Sequence, residues 1–160
     1  MKVVTLNCNG IRAAARKGFF EWLSTLKADV VCLQETRASE SQLDSEIFWP
    51  DGYFCYYFDA QKKGYSGTAI FSKVKPTTVT RGLGFKLADD EARYIQADYD
   101  GFSVASIYLP SGTSGEVRQT LKMDFLNRLK SDFLGKRRDG REYIICGDWN
   151  MCHKEIDLKN

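Results

Sequence analysis

Four apolar segments of this chain each run into a carboxylate, an amide or a phenol. Val3-Val4-Thr5-Leu6 leads to Asn7 and then to Asn9-Gly10. Val30-Val31-Cys32-Leu33 leads to Gln34-Glu35. The segment 102–109 carries Tyr108 just before Pro110. Tyr143-Ile144-Ile145-Cys146 leads to Gly147-Asp148-Trp149-Asn150. Short apolar runs of this kind read as buried strands. Ligands of open α/β sheets bind outside the carboxyl ends of the strands.

The residue types at those ends suit metal-assisted attack of water on a phosphodiester. Mg²⁺ keeps several waters and typically takes one or two carboxylates plus substrate phosphate, so a single Glu35 is enough to seat it. Asp148 can accept a proton from water or orient it. Asn7, Asn150 and Tyr108 can donate hydrogen bonds to phosphate oxygens without adding charge. No Ser–His or Cys–His pairing argues for a covalent nucleophile. Singly, each residue also has an ordinary structural use. Asp148 can cap a turn, Asn7 can make an Asx-turn, Glu35 can pair with Arg37, and Tyr108 can be a core aromatic. Their convergence at one sheet edge favours a site.

Helices must complete the layers. Phe19, Trp22, Leu23 and Leu26 have helical spacing, and so do Leu121, Phe125, Leu126, Leu129 and Phe133 within a helix over about 117–134. Ser39-x-x-Gln42 has the form of a capping box, with Leu43 and Ile47 behind it on one face. The middle of the chain is β-rich, with strands expected at 53–58, 68–71 and 77–80. Asp100-Gly101 marks a hairpin between 93–98 and 102–109. The expected fold class is mixed α/β, helices packed on a sheet.

Composition sets bounds. The chain has 160 residues, 43% hydrophobic and 28% charged, with net charge +2, which suits one packed domain. The basic cluster Lys136, Arg137, Arg138 and Arg141 reads as a solvated loop after a helix. Five cysteines without a Cys-x-x-Cys motif suit a reducing compartment, and one histidine argues against zinc. No signal-like or membrane-length apolar run is present. A cytoplasmic protein without membrane association is expected.

Taken together and in order, five segments resemble the exonuclease III–like abasic endonucleases of the endonuclease/exonuclease/phosphatase superfamily. They are 6–12, 31–37, 64–69, 107–112 and 147–150 running into His153-Lys154-Glu155-Ile156-Asp157-Leu158. The last narrows the resemblance to the repair branch. The resemblance implies a four-layer α-β-β-α sandwich. It implies incision 5′ of abasic sites in double-stranded DNA, with 3′-5′ exonuclease and 3′-phosphodiesterase activity on 3′ ends. It makes Glu35 the Mg²⁺ carboxylate (Mn²⁺ is the alternative ion), supported by Asn7. Asp148 would activate water, Asn150 would bind the scissile phosphate, and Tyr108 would sit against it. Arg37, Tyr65, Asn150 and Ser111 fall where the family contacts DNA, Ser111 standing where some members carry asparagine. His153 would hold the turn after the aspartate strand.

The family's domain continues past residue 160, where a further aspartate and an aspartate–histidine pair are expected. Residues 1–160 therefore read as the N-terminal portion of one domain, supplying about one sheet with its helices. Such a half would expose an apolar face, so the 160 residues read either as a fragment of a longer domain or as one half completed by a second chain, with a self-sufficient compact variant as the third alternative. Two other readings remain at this point. One is a superfamily phosphatase or phosphodiesterase acting on small or lipid substrates. The other is a catalytically incomplete module that binds DNA or a partner chain.

Overall fold

The computed structural model describes residues 1–112, 115–152 and 154–157. Strands β1 (Val3–Asn7), β2 (Val30–Gln34), β3 (Phe54–Phe58) and β4 (Thr68–Ser72) form one sheet in the order β1-β2-β4-β3. Strands β5 (Thr78–Arg81), β6 (Tyr94–Asp98), β7 (Phe102–Tyr108) and β8 (Glu142–Asp148) form a second, in the order β5-β6-β7-β8. Helices α1 (Ile11–Arg16) and α2 (Phe19–Leu26) cover the first sheet, and α4 (Glu116–Lys136) covers the second. A short α3 (Lys86–Asp90) precedes β6. The four layers run α-β-β-α.

Side-chain alternation along each strand builds these layers. On β2, Val31 and Leu33 face the helices with Phe19, Phe20 and Leu23, while Val30 and Cys32 face inward. Inward partners from the second sheet are Ile95, Ala97 and Val104. Tyr94, Ala105 and Ile107 face outward to Phe125 and Leu129 of α4. A buried polar link crosses between the sheets. Gln34 Nε2 donates to Ser106 Oγ at 2.8 Å, and Ser106 Oγ donates to the Leu33 carbonyl at 3.0 Å.

The expectation of about one sheet, with an apolar face left for a second chain, is corrected. The chain builds strands of both sheets, and their inner faces cover each other. The reason is strand pairing. The Asp100-Gly101 hairpin joins β6 to β7, and β7 then takes β8 in parallel, so residues 78–148 close a sheet of their own. Among the described residues each sheet keeps two outer strands, and one flank of the sandwich pairs an outer strand from each. There β1 and β8 lie side by side, each an outer strand of its sheet.

Smaller differences are local. Helices α1 and α3 were not expected, being too short for a periodic signal to register. Ser39 and Gln42 do meet, the Ser39 N–H donating to Gln42 Oε1 at 3.1 Å, but they cap only a 3₁₀ turn. Leu43 is buried, whereas Ile47, on the next 3₁₀ turn, is exposed. The basic cluster is partly structural. Arg141 donates from Nε to Ser103 Oγ at 2.7 Å and from Nη2 to the Phe102 carbonyl at 3.0 Å.

Candidate active site

The ends of β1, β2, β7 and β8 come together at one edge of the sandwich. Asn7 closes β1. Its Nδ2 donates to Glu35 Oε1 and to Asp148 Oδ2, both at 2.8 Å. One amide thus ties a carboxylate following the first sheet to a carboxylate ending the second. The Tyr108 hydroxyl donates to Glu35 as well. Asn7, Glu35, Tyr108 and Asp148, separate in sequence, therefore form one constellation.

The ordinary uses of these residues hold at the same time. Asn7 Oδ1 accepts from the Asn9 N–H at 3.0 Å, an Asx-turn. Asp148 Oδ1 accepts from the Asn150 N–H at 2.9 Å. Glu35 is ion-paired with Arg37. Structure and chemistry share the same atoms, which fixes each carboxylate before any ligand arrives.

The electrostatics suit that. Burial opposes the charge on Glu35, but hydrogen bonds from Asn7 and Tyr108 and the Arg37 guanidinium outweigh it, holding the carboxyl below its usual value of 4.5. Glu35 is thus an anion at neutral pH. Burial, and then the bond to Glu35, push Tyr108 well above the usual phenol range, so it remains a donor. Burial also pushes the neighbouring Cys8 thiol up to about 12, which removes it as a nucleophile.

The backbone here is strained. Glu35, Arg37, Ser66 and Asn150 adopt φ of 54°, 49°, 48° and 48°, a region that non-glycine residues seldom occupy. Neighbouring strands hold them there. The Glu35 carbonyl accepts from the Gly10 N–H at 2.6 Å, and the Arg37 N–H donates to the Ser66 carbonyl at 2.9 Å. Gly67 makes room, since a Cβ on it would lie 2.3 Å from Thr36 Oγ1.

The remaining expected residues fall around this centre. One Nδ2 hydrogen of Asn150 goes to the Leu109 carbonyl at 2.7 Å, leaving the second for a ligand oxygen. Tyr65 is half-buried, and its hydroxyl accepts from Arg93 Nη2 at 3.2 Å. Lys62 lies 5.3 Å from the centre of its ring. Ser111 lies half-buried just past β7. Glu155–Asp157 forms a 3₁₀ turn, while His153 and Leu158 lie outside the described residues. Sequence reasoning missed Lys122, whose Nζ donates to the Asn150 carbonyl at 2.6 Å, and Arg93. A lone arginine at the start of an apolar strand was the available signal for Arg93.

Among the described residues no group of three His, Cys, Asp or Glu side chains is poised for a metal. Mg²⁺ does not need one. Two carboxylates bridged by an amide, open to substrate oxygens and water, are a donor set that fits it.

Comparison with known proteins agrees with this geometry. A family model described as the endonuclease/exonuclease/phosphatase family matches residues 4–160. An exodeoxyribonuclease of Bacillus subtilis (strain 168) is 40% identical over 161 residues, covering 100% of this chain and 62% of that protein. A DNA-(apurinic or apyrimidinic site) endonuclease of Dictyostelium discoideum is 35% identical, covering 100% of this chain and 44% of that protein. The solved structure of an AP endonuclease from Archaeoglobus fulgidus superposes with TM-score 0.82 at 30% identity, covering 100% of this chain and 61% of that one. The chain thus spans less than two thirds of the length of these relatives.

Proposed function

Since this chain belongs to the endonuclease/exonuclease/phosphatase family, we propose that it is the N-terminal portion of a DNA-repair nuclease that hydrolyses the phosphodiester 5′ of abasic sites in duplex DNA. Action on 3′ ends by the same chemistry is part of the reading. The observation that carries it is the Asn7 amide joining Glu35 to Asp148 across the two sheets, with Tyr108 on Glu35. The two relatives above, an exodeoxyribonuclease and an apurinic or apyrimidinic site endonuclease, support the choice of DNA over small or lipid phosphates.

In this reading Asp148 accepts the proton of the attacking water. Its second oxygen is anchored by the Asn150 N–H, which fixes the direction of attack. The free N–H of the Asn150 amide and the Tyr108 hydroxyl donate to phosphate oxygens as charge grows there. Glu35 and Asn7 would hold Mg²⁺, or Mn²⁺ in its place. The ion would supply Lewis-acid polarisation of the phosphoryl oxygen. Arg37, Tyr65 and Ser111 lie on the DNA side. The rest of the relatives' length would extend the two sheets from β1 and β8, whose outer edges are unpaired among the described strands.

Substituting Glu35→Gln keeps an acceptor for Asn7 and removes the charge. Divalent-ion affinity by titration calorimetry is expected to fall more than about 100-fold, since even outer-shell partners are worth about 10–100-fold. An unchanged affinity would remove Glu35 from the metal. The functional reading itself is tested by binding to a duplex with one abasic-site analogue and to the intact duplex, across salt concentrations. Preference for the abasic duplex, weakening steeply with salt as phosphate contacts are screened, is expected. Hydrolysis of nucleotides or inositol phosphates with no affinity for either duplex would overturn it.

A further inference from the structure

Arg93 is the largest fully buried side chain among the described residues, and it is charged. Its Nε donates to Glu91 Oε2 at 2.7 Å, its Nη1 to the Tyr108 carbonyl at 3.0 Å, and its Nη2 to the Tyr65 hydroxyl at 3.2 Å. The guanidinium also lies 4.7 Å from the centre of the Tyr108 ring. The backbones are tied too, the Tyr108 N–H donating to the Arg93 carbonyl at 2.9 Å. One planar group thus joins one carboxylate and two tyrosines.

A purely structural explanation is weak on energetic grounds. Burying an ion pair is often no better than apolar packing of the same volume. What the pair gains here is geometry. The guanidinium fork fixes directions that lysine or an apolar chain does not. We propose that Arg93 is a positioning residue that holds Tyr108, beside Glu35, and Tyr65, on the DNA side, in one rigid arrangement. Grip on the nucleic-acid strand and placement of the active-site phenol are then a single mechanical unit. Arg118 extends it to the start of α4, its Nη1 lying 3.5 Å from the Tyr65 hydroxyl and 3.9 Å from Glu91. The kinetic side of this proposal rests on the nuclease reading above, whereas the positional side does not.

The test uses fluorotyrosine-labelled protein and two variants. Arg93→Lys keeps the charge and loses the fork. Tyr65→Phe removes one acceptor and leaves the buried ion pair untouched, so it stays informative if the arginine variant folds poorly. With 8 tyrosines in the chain, Arg93→Lys is expected to move the ¹⁹F resonances of Tyr65 and Tyr108 and leave the other six in place. Tyr65→Phe is expected to move that of Tyr108. On abasic duplex, Tyr65→Phe is expected to lower kcat about tenfold as well as raise KM, a milder loss than the about 100-fold of a 1 Å misplacement. An unmoved Tyr108 resonance, or a raised KM with unchanged kcat, would overturn the proposal. If the whole nuclease, of which this chain is the proposed N-terminal portion, cleaves nothing, the nuclease reading fails, and the resonances alone decide the positional claim.

Discussion

Asp148→Asn is expected to slow incision of abasic duplex by about 10³-fold under single turnover, in line with the loss of a positioned general base. The substitution is close to isosteric, so the strand keeps its shape. It also carries a local cost. Asp148 accepts at both oxygens, from Asn7 Nδ2 at 2.8 Å and from the Asn150 N–H at 2.9 Å. An asparagine can satisfy only one of them and turns a donor toward the other, which destabilises by about 1–3 kcal/mol. Urea unfolding measures that second effect separately. A variant cutting within a few-fold of the unsubstituted rate would mean that water is activated elsewhere.

The largest expected effect on stability comes from Gly147→Ala. A Cβ at Gly147 would lie 1.9 Å from the Ile107 carbonyl oxygen and 2.8 Å from its carbon. These are backbone atoms of the partner strand and cannot swing aside. Gly147 pairs with Ile107 in the β7–β8 register, and the next pair is Tyr108 with Asp148. Any parting of the strands therefore passes straight into the site. A loss of about 3–5 kcal/mol is expected, the size reserved for core disruption. For a chain of this length that lowers the melting temperature by roughly 10 °C. Activity should fall further than stability accounts for, because both site residues shift. An alanine variant with unchanged melting temperature would show that β8 accommodates the methyl by another register.

Much of the candidate site was legible because strand ends are local features. An apolar run followed by Asn7, by Gln34-Glu35, by Tyr108 or by Gly147-Asp148 names its own terminus, and all four termini do meet. The hairpin at Asp100-Gly101 was equally local. The partition into two sheets was not. Val30-Val31-Cys32-Leu33 is apolar on both faces, so nothing in it says which face meets helices and which meets the other sheet. Pairing of β1 with β2, and of β7 with β8, joins residues far apart in sequence by backbone bonds that carry no side-chain signature. Gln34 with Ser106, and Arg93 with Tyr65 and Tyr108, are invisible for the same reason. Each becomes meaningful only when two distant segments are in contact. The left-handed backbone at Glu35 and Arg37 had no sequence mark either, since glycine, the usual signal for it, is absent at both.

The most direct measurement is incision of an end-labelled duplex carrying one abasic site by the whole nuclease of which this chain is the proposed N-terminal portion, with Mg²⁺ and with chelator. The expected result is a single metal-dependent nick immediately 5′ of the abasic site, lost in Asp148→Asn. Cleavage that persists undiminished in chelator, or a duplex left intact in Mg²⁺, would contradict metal-assisted hydrolysis at the Asn7–Glu35–Asp148 centre.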